Sequence, residues 1–150
     1  MSQPLLDLKS YFVGHMAGEG RVLGLTGRVL RVFTLDFFGE WSIGHDALHL
    51  DETVVYADGR QVRRHWALQF DGQGGLSGYD SHQAARLRGR PGPGCARLVF
   101  DRPIGLTPEI AAPRVVLDLT EVSQGALDVK GRTDLMGLPL QRTQAVLRRD

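Results

Sequence analysis

The sequence predicts an all-β protein, a single antiparallel up-and-down barrel of about eight to ten strands with at most one or two short helices. Nineteen glycines among 150 residues separate many short segments, and within those segments apolar and polar residues alternate. Alternation with a period of two is typical of strands that bury one face. Consecutive hairpins of this kind leave two exposed edges, and closing the sheet removes both edges at once. An open sandwich is the alternative architecture.

The alternating segments predict about nine strands. In the clearest of them, residues 29–41, Phe33, Phe37 and Trp41 share one side and Thr34 lies on the other. The predicted strands are 19–25, 29–41, 48–56, 60–70, 76–88, 96–101, 115–122, 127–133 and 140–148. Residues 1–150 are therefore expected to form one β-barrel domain.

Glycine and proline mark the connections between these strands. Hairpin turns that require a positive φ are predicted at Thr26-Gly27, Asp58-Gly59, residues 72–75 and Gln124-Gly125. The Pro-Gly-Pro-Gly sequence at 91–94 predicts a longer rigid bend. Residues 103–113 contain three prolines and predict a loop over a barrel mouth, with one helical turn at 108–112. Residues 5–12 follow a proline and predict a helix that plugs or flanks an open end.

The hairpin within residues 48–70 permits a prediction of register, because its two strands must place their apolar side chains on the same face. The apolar residues of both strands occupy even positions. A two-residue loop would oppose apolar to polar positions, whereas a three-residue loop at 57–59 opposes even to even. In such loops a residue like Gly59 adopts the left-handed conformation and closes the turn with a bulge.

That register places two charged residues opposite each other on the apolar face. Glu52 faces Arg64, and leaving either charge alone in a core would cost several kcal/mol. One interpretation is a structural ion pair that holds the register. The other is a polar floor in an apolar cavity, which is the arrangement that orients the head group of a ligand. Tyr56 lies on the same face and adds a hydroxyl group.

The composition does not favour nucleic acid as a partner. Eighteen lysines and arginines against seventeen aspartates and glutamates leave a net charge of +1, whereas nucleic-acid-binding domains usually carry a basic surface. Cys95 is the only cysteine, so we expect no disulfide, within the chain or to a partner. No segment has the roughly eighteen apolar residues that span a membrane, and no export signal is visible at the N-terminus. These features predict a cytoplasmic protein.

Motifs that would indicate a metal or a hydrolytic site are weak. His45 and His49 are four residues apart, which along a strand separates them by about 13 Å. The tripeptide Asp80-Ser81-His82 has the residue types of a catalytic relay, but neighbours in a strand point to opposite faces. His65 falls on the solvent side of its strand. We therefore predict no metal and no other cofactor.

Gly39-Glu40-Trp41 matches the Gly-x-Trp signature of lipocalin-like barrels. In those barrels an arginine from the last strand stacks across the tryptophan and closes one end. Arg148 and Arg149 are available for that role in this chain.

Together, these segments resemble a bacterial family of small calycin-type, lipocalin-like barrels, the domain of unknown function 3833. The similarity extends over most of the chain and rests on Gly27-Arg28-Val29, Phe33, Gly39-x-Trp41, Leu50-x-Glu52-x-Val54-x-Tyr56-x-Asp58-Gly59, Arg64-x-Trp66, Gly137 and Arg148-Arg149. The middle block is the most specific, because it preserves the acid, the turn and the Arg-x-Trp together. The resemblance implies a calycin barrel and a connection with lipids, since such proteins tend to be encoded beside fatty-acid-modifying enzymes.

The chain departs from the family pattern at two places. Ser81-His82-Gln83 stands where the family usually has Asp-Asp-Val, and Leu117-Asp118-Leu119-Thr120 stands where it has Phe-Asp-Asp-Trp. Acidic groups are missing at both places, so no activity that depends on them is implied. The chain is identified as a divergent member.

These inferences lead to a binding or accessory protein that holds a small hydrophobic or acyl ligand inside the barrel. The predicted ligand-binding residues are Glu52, Arg64, Tyr56, Trp66 and Trp41. A barrel enzyme with acid/base or isomerase-type chemistry on a lipid-like substrate is the alternative. A structural module with a filled core is a further alternative. Binding is favoured because strand parity brings no nucleophile and base together.

Overall fold

The structure, a computed structural model, describes residues 3–44, 46–82, 85–101, 114–135 and 138–149. These residues form one short helix and ten strands: α1 Leu8–Phe12, β1 Gly14–Leu23, β2 Val29–Trp41, β3 Leu48–Tyr56, β4 Gln61–Phe70, β5 Leu76–Asp80, β6 Arg86–Gly92, β7 Cys95–Asp101, β8 Arg114–Ser123, β9 Ala126–Leu135 and β10 Leu138–Arg149. In this part of the chain, no helix is long and apolar enough to cross a membrane.

The ten strands form a closed antiparallel barrel in which each strand pairs with its neighbours in the sequence. The barrel closes between the first and last strands, where Met16 pairs with Arg149 and Leu23 with Arg142. Closure gives every strand a partner on both sides, which removes the edges that an open sheet would expose. The predicted all-β, up-and-down barrel is confirmed, and the sandwich alternative is wrong.

The predicted strand 76–88 is wrong, because two strands and a turn occupy this part of the chain. β5 ends at Asp80, whose carboxylate accepts hydrogen bonds from the backbone N–H groups of His65 (2.7 Å) and His82 (3.1 Å). The hydrogen bond from the backbone N–H of His82 to the Asp80 carboxylate, two residues earlier, forms an Asx turn. β6 then continues to Gly92, so the predicted bend at 91–94 is a tight turn at Pro93-Gly94. The predicted loop 103–113, with its helical turn at 108–112, lies outside the described residues.

The core consists of side chains from alternate positions of each strand, which point to the inside of the barrel. Trp66 and Leu68 on β4 are 1% and 0% exposed, and Phe37 on β2 is 2% exposed. Gly39 on β2 faces the point where the chain leaves α1. Glycine is required there, because a Cβ atom at position 39 would lie 1.9 Å from the carbonyl oxygen of Phe12. This close approach seats the helix against the barrel.

The two ends of the barrel differ, and we name them by α1. At the helix end, α1 lies beside the turns that follow β2, β4, β6 and β8. Leu8, Tyr11 and Phe12 of the helix are buried there, so the predicted plugging helix is confirmed in a shorter form. At the opposite end, called the far end, β3 is joined to β4 by the loop 57–59 and β1 to β2 by residues 24–28.

Candidate functional site

The β3–β4 hairpin has the register that the sequence predicts. Leu50 pairs with Trp66, Glu52 with Arg64 and Val54 with Val62. The loop contains three residues, and it ends on Gly59, whose φ is +91°. The N–H of this glycine donates to the carbonyl oxygen of Tyr56 at 2.9 Å. The hairpin therefore directs Glu52 and Arg64 to the inner side of the barrel.

Glu52 and Arg64 form an ion pair inside the wall. The Nη1 atom of Arg64 donates to Oε1 of Glu52 at 2.9 Å, and the side chains are 24% and 17% exposed, respectively. Both charges therefore retain some contact with water, which lowers the desolvation cost that full burial would impose. The burial of this pair therefore lies between that of a surface ion pair and that of a fully buried one.

A small cavity of about 110 Å³ lies at the centre of the barrel. Two polar residues, Glu52 and Thr143, contribute to its wall, and the other lining side chains are apolar. These apolar residues come from α1 and from strands on all sides, among them Phe12, Phe33, Trp66, Leu98, Leu119 and Leu147. Drug-sized ligands occupy cavities of roughly 300 Å³ or more, whereas a cavity of about 150 Å³ binds benzene. The cavity suits a small apolar group or a short chain.

Trp66 belongs to the cavity and Trp41 does not lie beside it. The Trp66 ring lines the cavity and meets the Phe100 ring edge-on at 5.6 Å between centroids. Trp41 packs against Phe70 at the helix end, with 5.9 Å between ring centroids, and the ammonium group of Lys9 lies 5.7 Å from the Phe70 centroid. The structure therefore separates Trp41 from the other predicted site residues.

Arg149 of the last strand lies over the aromatic ring of Tyr11 at the helix end. Its guanidinium carbon is 5.3 Å from the ring centroid. The Tyr11 hydroxyl donates a hydrogen bond to the Glu121 carboxylate. Burial, followed by this hydrogen bond, raises the pKa of Tyr11 above its usual value of 10.0. A tyrosine of α1 thus receives the contact that the Gly-x-Trp signature predicts for Trp41.

Tyr56 lies at the far end between two arginines. The guanidinium carbons of Arg31 and Arg60 are 5.7 and 5.3 Å from the centroid of its ring. Arg60 also pairs with Asp58 at 2.9 Å. Arg31 donates from Nη2 to Oε1 of Gln141 on β10 at 3.3 Å. Tyr56 does not line the central cavity; together with Arg31 and Asp58 it lines a separate pocket of about 230 Å³ at the far end.

Three polar residues near the cavity were not predicted from the sequence: Arg31, Gln141 and Thr143. A signal was present, because Arg31 occupies an odd position of β2, the side on which Phe33 and Phe37 lie. Thr143 likewise shares its side of β10 with Leu147, which lines the same cavity. A charged residue among the inward-facing apolar residues of a strand indicates a candidate site, since burying a charge without a partner costs free energy.

Histidines lie together on the outside of the barrel. The ring centroids of His49 and His65 are 5.4 Å apart, and those of His65 and His82 are 6.5 Å apart. Nδ1 of His65 lies 2.6 Å from the carboxylate of Asp51. The first two rings are stacked, so their nitrogens do not converge on one point. Within the described ranges, no group of three or more potential ligands has a geometry that would hold a metal ion.

The sequence pattern of one family, described as a protein of unknown function (DUF3833), matches residues 1–88, more than half of the chain. This chain belongs to the DUF3833 family. The matched part contains α1, the β3–β4 hairpin and the Arg-x-Trp sequence. Gly137 and Arg148-Arg149, which also carried the resemblance, lie beyond it. The family match is therefore shorter than the similarity that the sequence analysis describes.

Solved structures with the same fold include three proteins of low sequence identity. Rv2717c from M. tuberculosis has a TM-score of 0.65 at 19% identity, over 95% of this chain and 94% of that protein. The S-type phycobiliprotein lyase CpeS from Guillardia theta has a TM-score of 0.62 at 10% identity, over 97% and 93% of the two chains. A DUF3598-family protein of unknown function from Nostoc punctiforme has a TM-score of 0.64 at 11% identity.

This DUF3833 chain covers 51% of the Nostoc protein, which in turn covers 99% of this chain. The TM-scores show a shared calycin-like barrel fold, and at these low identities the similarity extends to the fold alone. A comparison with curated protein sequences gives no significant match.

Proposed function

We propose that this DUF3833 protein binds a small molecule whose apolar part occupies the central cavity. The observation that carries the proposal is the cavity itself, an apolar space of about 110 Å³ with a carboxylate in its wall. Removing an apolar group from water is favourable by about 25 cal/mol per Å² of buried surface. A ligand that fills this space therefore gains affinity without any change of the fold.

The cavity size sharpens the expectation of a lipid-like ligand. A long acyl chain does not fit into 110 Å³, so the ligand that fits is a short chain or a single apolar ring. Trp66 forms one wall, and the Glu52–Arg64 pair provides a polar boundary. Tyr56 lies outside the cavity, in the separate pocket at the far end. Trp41 is assigned no role in this proposal, because it packs at the helix end.

Two proteins of the same fold bear on the choice between a binding protein and an enzyme. One is, by its name, an enzyme, the phycobiliprotein lyase from Guillardia theta. The other is EF1p2_mFAP2b in complex with DFHBI, which has a TM-score of 0.52 at 9% identity, over 96% of this chain and 98% of that protein. The second protein shows that a barrel of this shape accommodates a small molecule.

An enzyme of the same architecture receives less support from the described residues. Glu52 is the acidic side chain of the cavity wall, and Arg64 already occupies one of its oxygens. The Asp80 carboxylate, which a relay would need, accepts from two backbone N–H groups at the β5–β6 turn. We therefore place binding ahead of acid/base catalysis, and ahead of a structural module with a filled core.

Filling the cavity tests the proposal. Leu98→Phe adds a ring at a residue that lines the cavity, and Val122→Phe adds the same ring at an exposed position on β8. We expect Leu98→Phe to abolish the binding of pentan-1-ol, measured by isothermal titration calorimetry, and Val122→Phe to leave it unchanged. Native mass spectrometry of the purified protein would reveal any retained ligand. Equal pentan-1-ol affinity in both variants would place binding outside the cavity and contradict the proposal.

Two broader expectations from the sequence stay proposals. We propose that residues 1–150 form one domain, and a single calorimetric unfolding transition would support this. We also propose that the protein acts in the cytoplasm, and fractionation of cells that express the full-length gene would test that location.

A further inference from the structure

Arg31 is an inward-facing cation at the far end, and among the described residues no carboxylate lies within ion-pair distance of its guanidinium. Its Nη2 atom donates to the neutral side chain of Gln141 at 3.3 Å, and its guanidinium carbon lies 5.7 Å from the centre of the Tyr56 ring. Its Nε atom is buried and has no hydrogen-bond partner among the described residues. A buried donor without an acceptor destabilises the folded protein.

Two nearby carboxylates, those of Asp58 and Glu52, form ion pairs with other arginines. Asp58 accepts from the backbone N–H of Arg60 at 3.0 Å and from its guanidinium at 2.9 Å. Glu52 accepts from Arg64. The backbone hydrogen bond from Arg60 is the main cause of the lowered pKa of Asp58, and Arg31 is close enough to contribute to it. Among the described residues, however, Arg31 has no ion-pair partner of its own. A guanidinium in this state attracts an external anion.

Arg31 is also close to the cavity along the chain. On β2 it precedes Phe33 by two residues on the same face, and on β10 its partner Gln141 precedes Thr143 by two residues. Phe33 and Thr143 both line the cavity. Two residues along a strand span about 6.6 Å, so the backbone of Arg31 lies one residue layer from residues that line the cavity.

We propose that Arg31 binds the carboxylate head group of the ligand whose apolar part occupies the cavity. This inference rests on the proposed function and specifies the chemical class, a short-chain or small-ring carboxylic acid. A carboxylate matches the planar donor fork of a guanidinium and accepts hydrogen bonds from it. A phosphate dianion would call for a second cation beside Arg31, and Arg60, which lies over the same Tyr56 ring, is already paired with Asp58. Gln141 orients the fork, and the Tyr56 ring packs against its face.

The test compares two ligands that differ in the head group alone. Pentanoate and pentan-1-ol have similar chains, and their affinities for the full chain are measured by calorimetry. We expect pentanoate to bind about tenfold more tightly, because a charge-assisted hydrogen bond contributes the equivalent of about one order of magnitude in affinity. Arg31→Met should remove this preference and leave the affinity for pentan-1-ol unchanged. Arg31→Lys should retain only part of it, because lysine lacks the fork.

Arg28→Met is the matched control, since Arg28 lies exposed in the neighbouring β1–β2 turn. It should keep the full preference for pentanoate. Equal affinities of the unchanged chain for the two ligands, or an unchanged preference in Arg31→Met, would overturn the assignment of the head group and leave the cavity proposal standing. Binding of neither ligand would overturn both proposals. If Arg31→Met does not fold, the comparison of ligands on the unchanged chain decides.

Discussion

At the helix end of the barrel the inner side chains are apolar and aromatic, whereas at the far end several of them carry charge. Phe12 and Phe37 pack at the helix end with 5.7 Å between ring centroids. At the far end, Arg31 and Arg64 point inward from strands whose other inner residues are apolar. Packing of apolar side chains contributes to stability at the first end, whereas taking polar groups out of water costs free energy at the second. This difference is the reason for which we propose that a ligand is recognised at the far end.

The largest predicted effect is the removal of the aromatic plug at the helix end. Phe12→Ala should lower the free energy of unfolding by about 3–4 kcal/mol, because the buried ring leaves a cavity behind. The exposed ring of Phe38 provides the control, since it is 49% accessible, and Phe38→Ala should cost less than about 1 kcal/mol. Urea denaturation measures both values. Equal losses would show that the helix does not close the barrel as the packing indicates.

A smaller effect is expected from the polar pair at the far end. Arg64→Met should cost about 2 kcal/mol, between the values for buried and exposed pairs, because Glu52 loses its partner. Replacing both residues, Glu52→Leu with Arg64→Met, should be milder than the single change. A double-mutant cycle with Glu52→Leu alone isolates the interaction. If the losses in unfolding free energy of the two single variants are additive, Glu52 and Arg64 do not interact, which would contradict their pairing on the inner wall.

The next largest change in stability is expected for a substitution in the hairpin loop at the far end. Gly59→Ala is expected to cost about 1 kcal/mol or somewhat more, because alanine is strained at a φ of +91°. Gly72 is a suitable control, since a Cβ atom at that position would contact nothing within 4 Å. Thermal unfolding of both variants gives the comparison. An unchanged melting temperature for Gly59→Ala would contradict the three-residue loop.

The smallest effect concerns Tyr11 at the helix end and depends on pH. Burial raises the pKa of Tyr11 above 10.0, so the folded protein favours the protonated phenol. The contribution of this group to stability is therefore complete below pH 10 and is lost as the pH rises through the folded-state pKa. Tyr11→Phe should cost about 1 kcal/mol at pH 7.

The difference in unfolding free energy between Tyr11→Phe and the unchanged protein should then shrink at higher pH, because the variant has no phenol to ionise. Denaturation curves at pH 7 and above pH 10 measure the difference. A constant difference across this range would show that the phenol is solvated.

Most of the fold follows from local signals in the sequence. Alternation predicts the strands, and Gly59 and Gly125, both with positive φ in the structure, occur in predicted turns. The Glu52–Arg64 register follows as well, because the parity of two strands and the length of one loop determine it. The turn between β5 and β6 escaped prediction, since Asp80 stabilises it partly through the backbone of His65 on another strand.

The sequence by itself determined most of the strands, most of their inward faces and the one hairpin pair, because each depends on neighbours within about 20 residues of chain. Only the tertiary structure decided which polar residues meet at the far end. Arg31 and Gln141 are 110 residues apart, and they come together because β1 closes the barrel by pairing with both β2 and β10. Closure also separated Trp41 from the cavity and set the cavity volume, since both depend on how all ten strands are staggered around the axis.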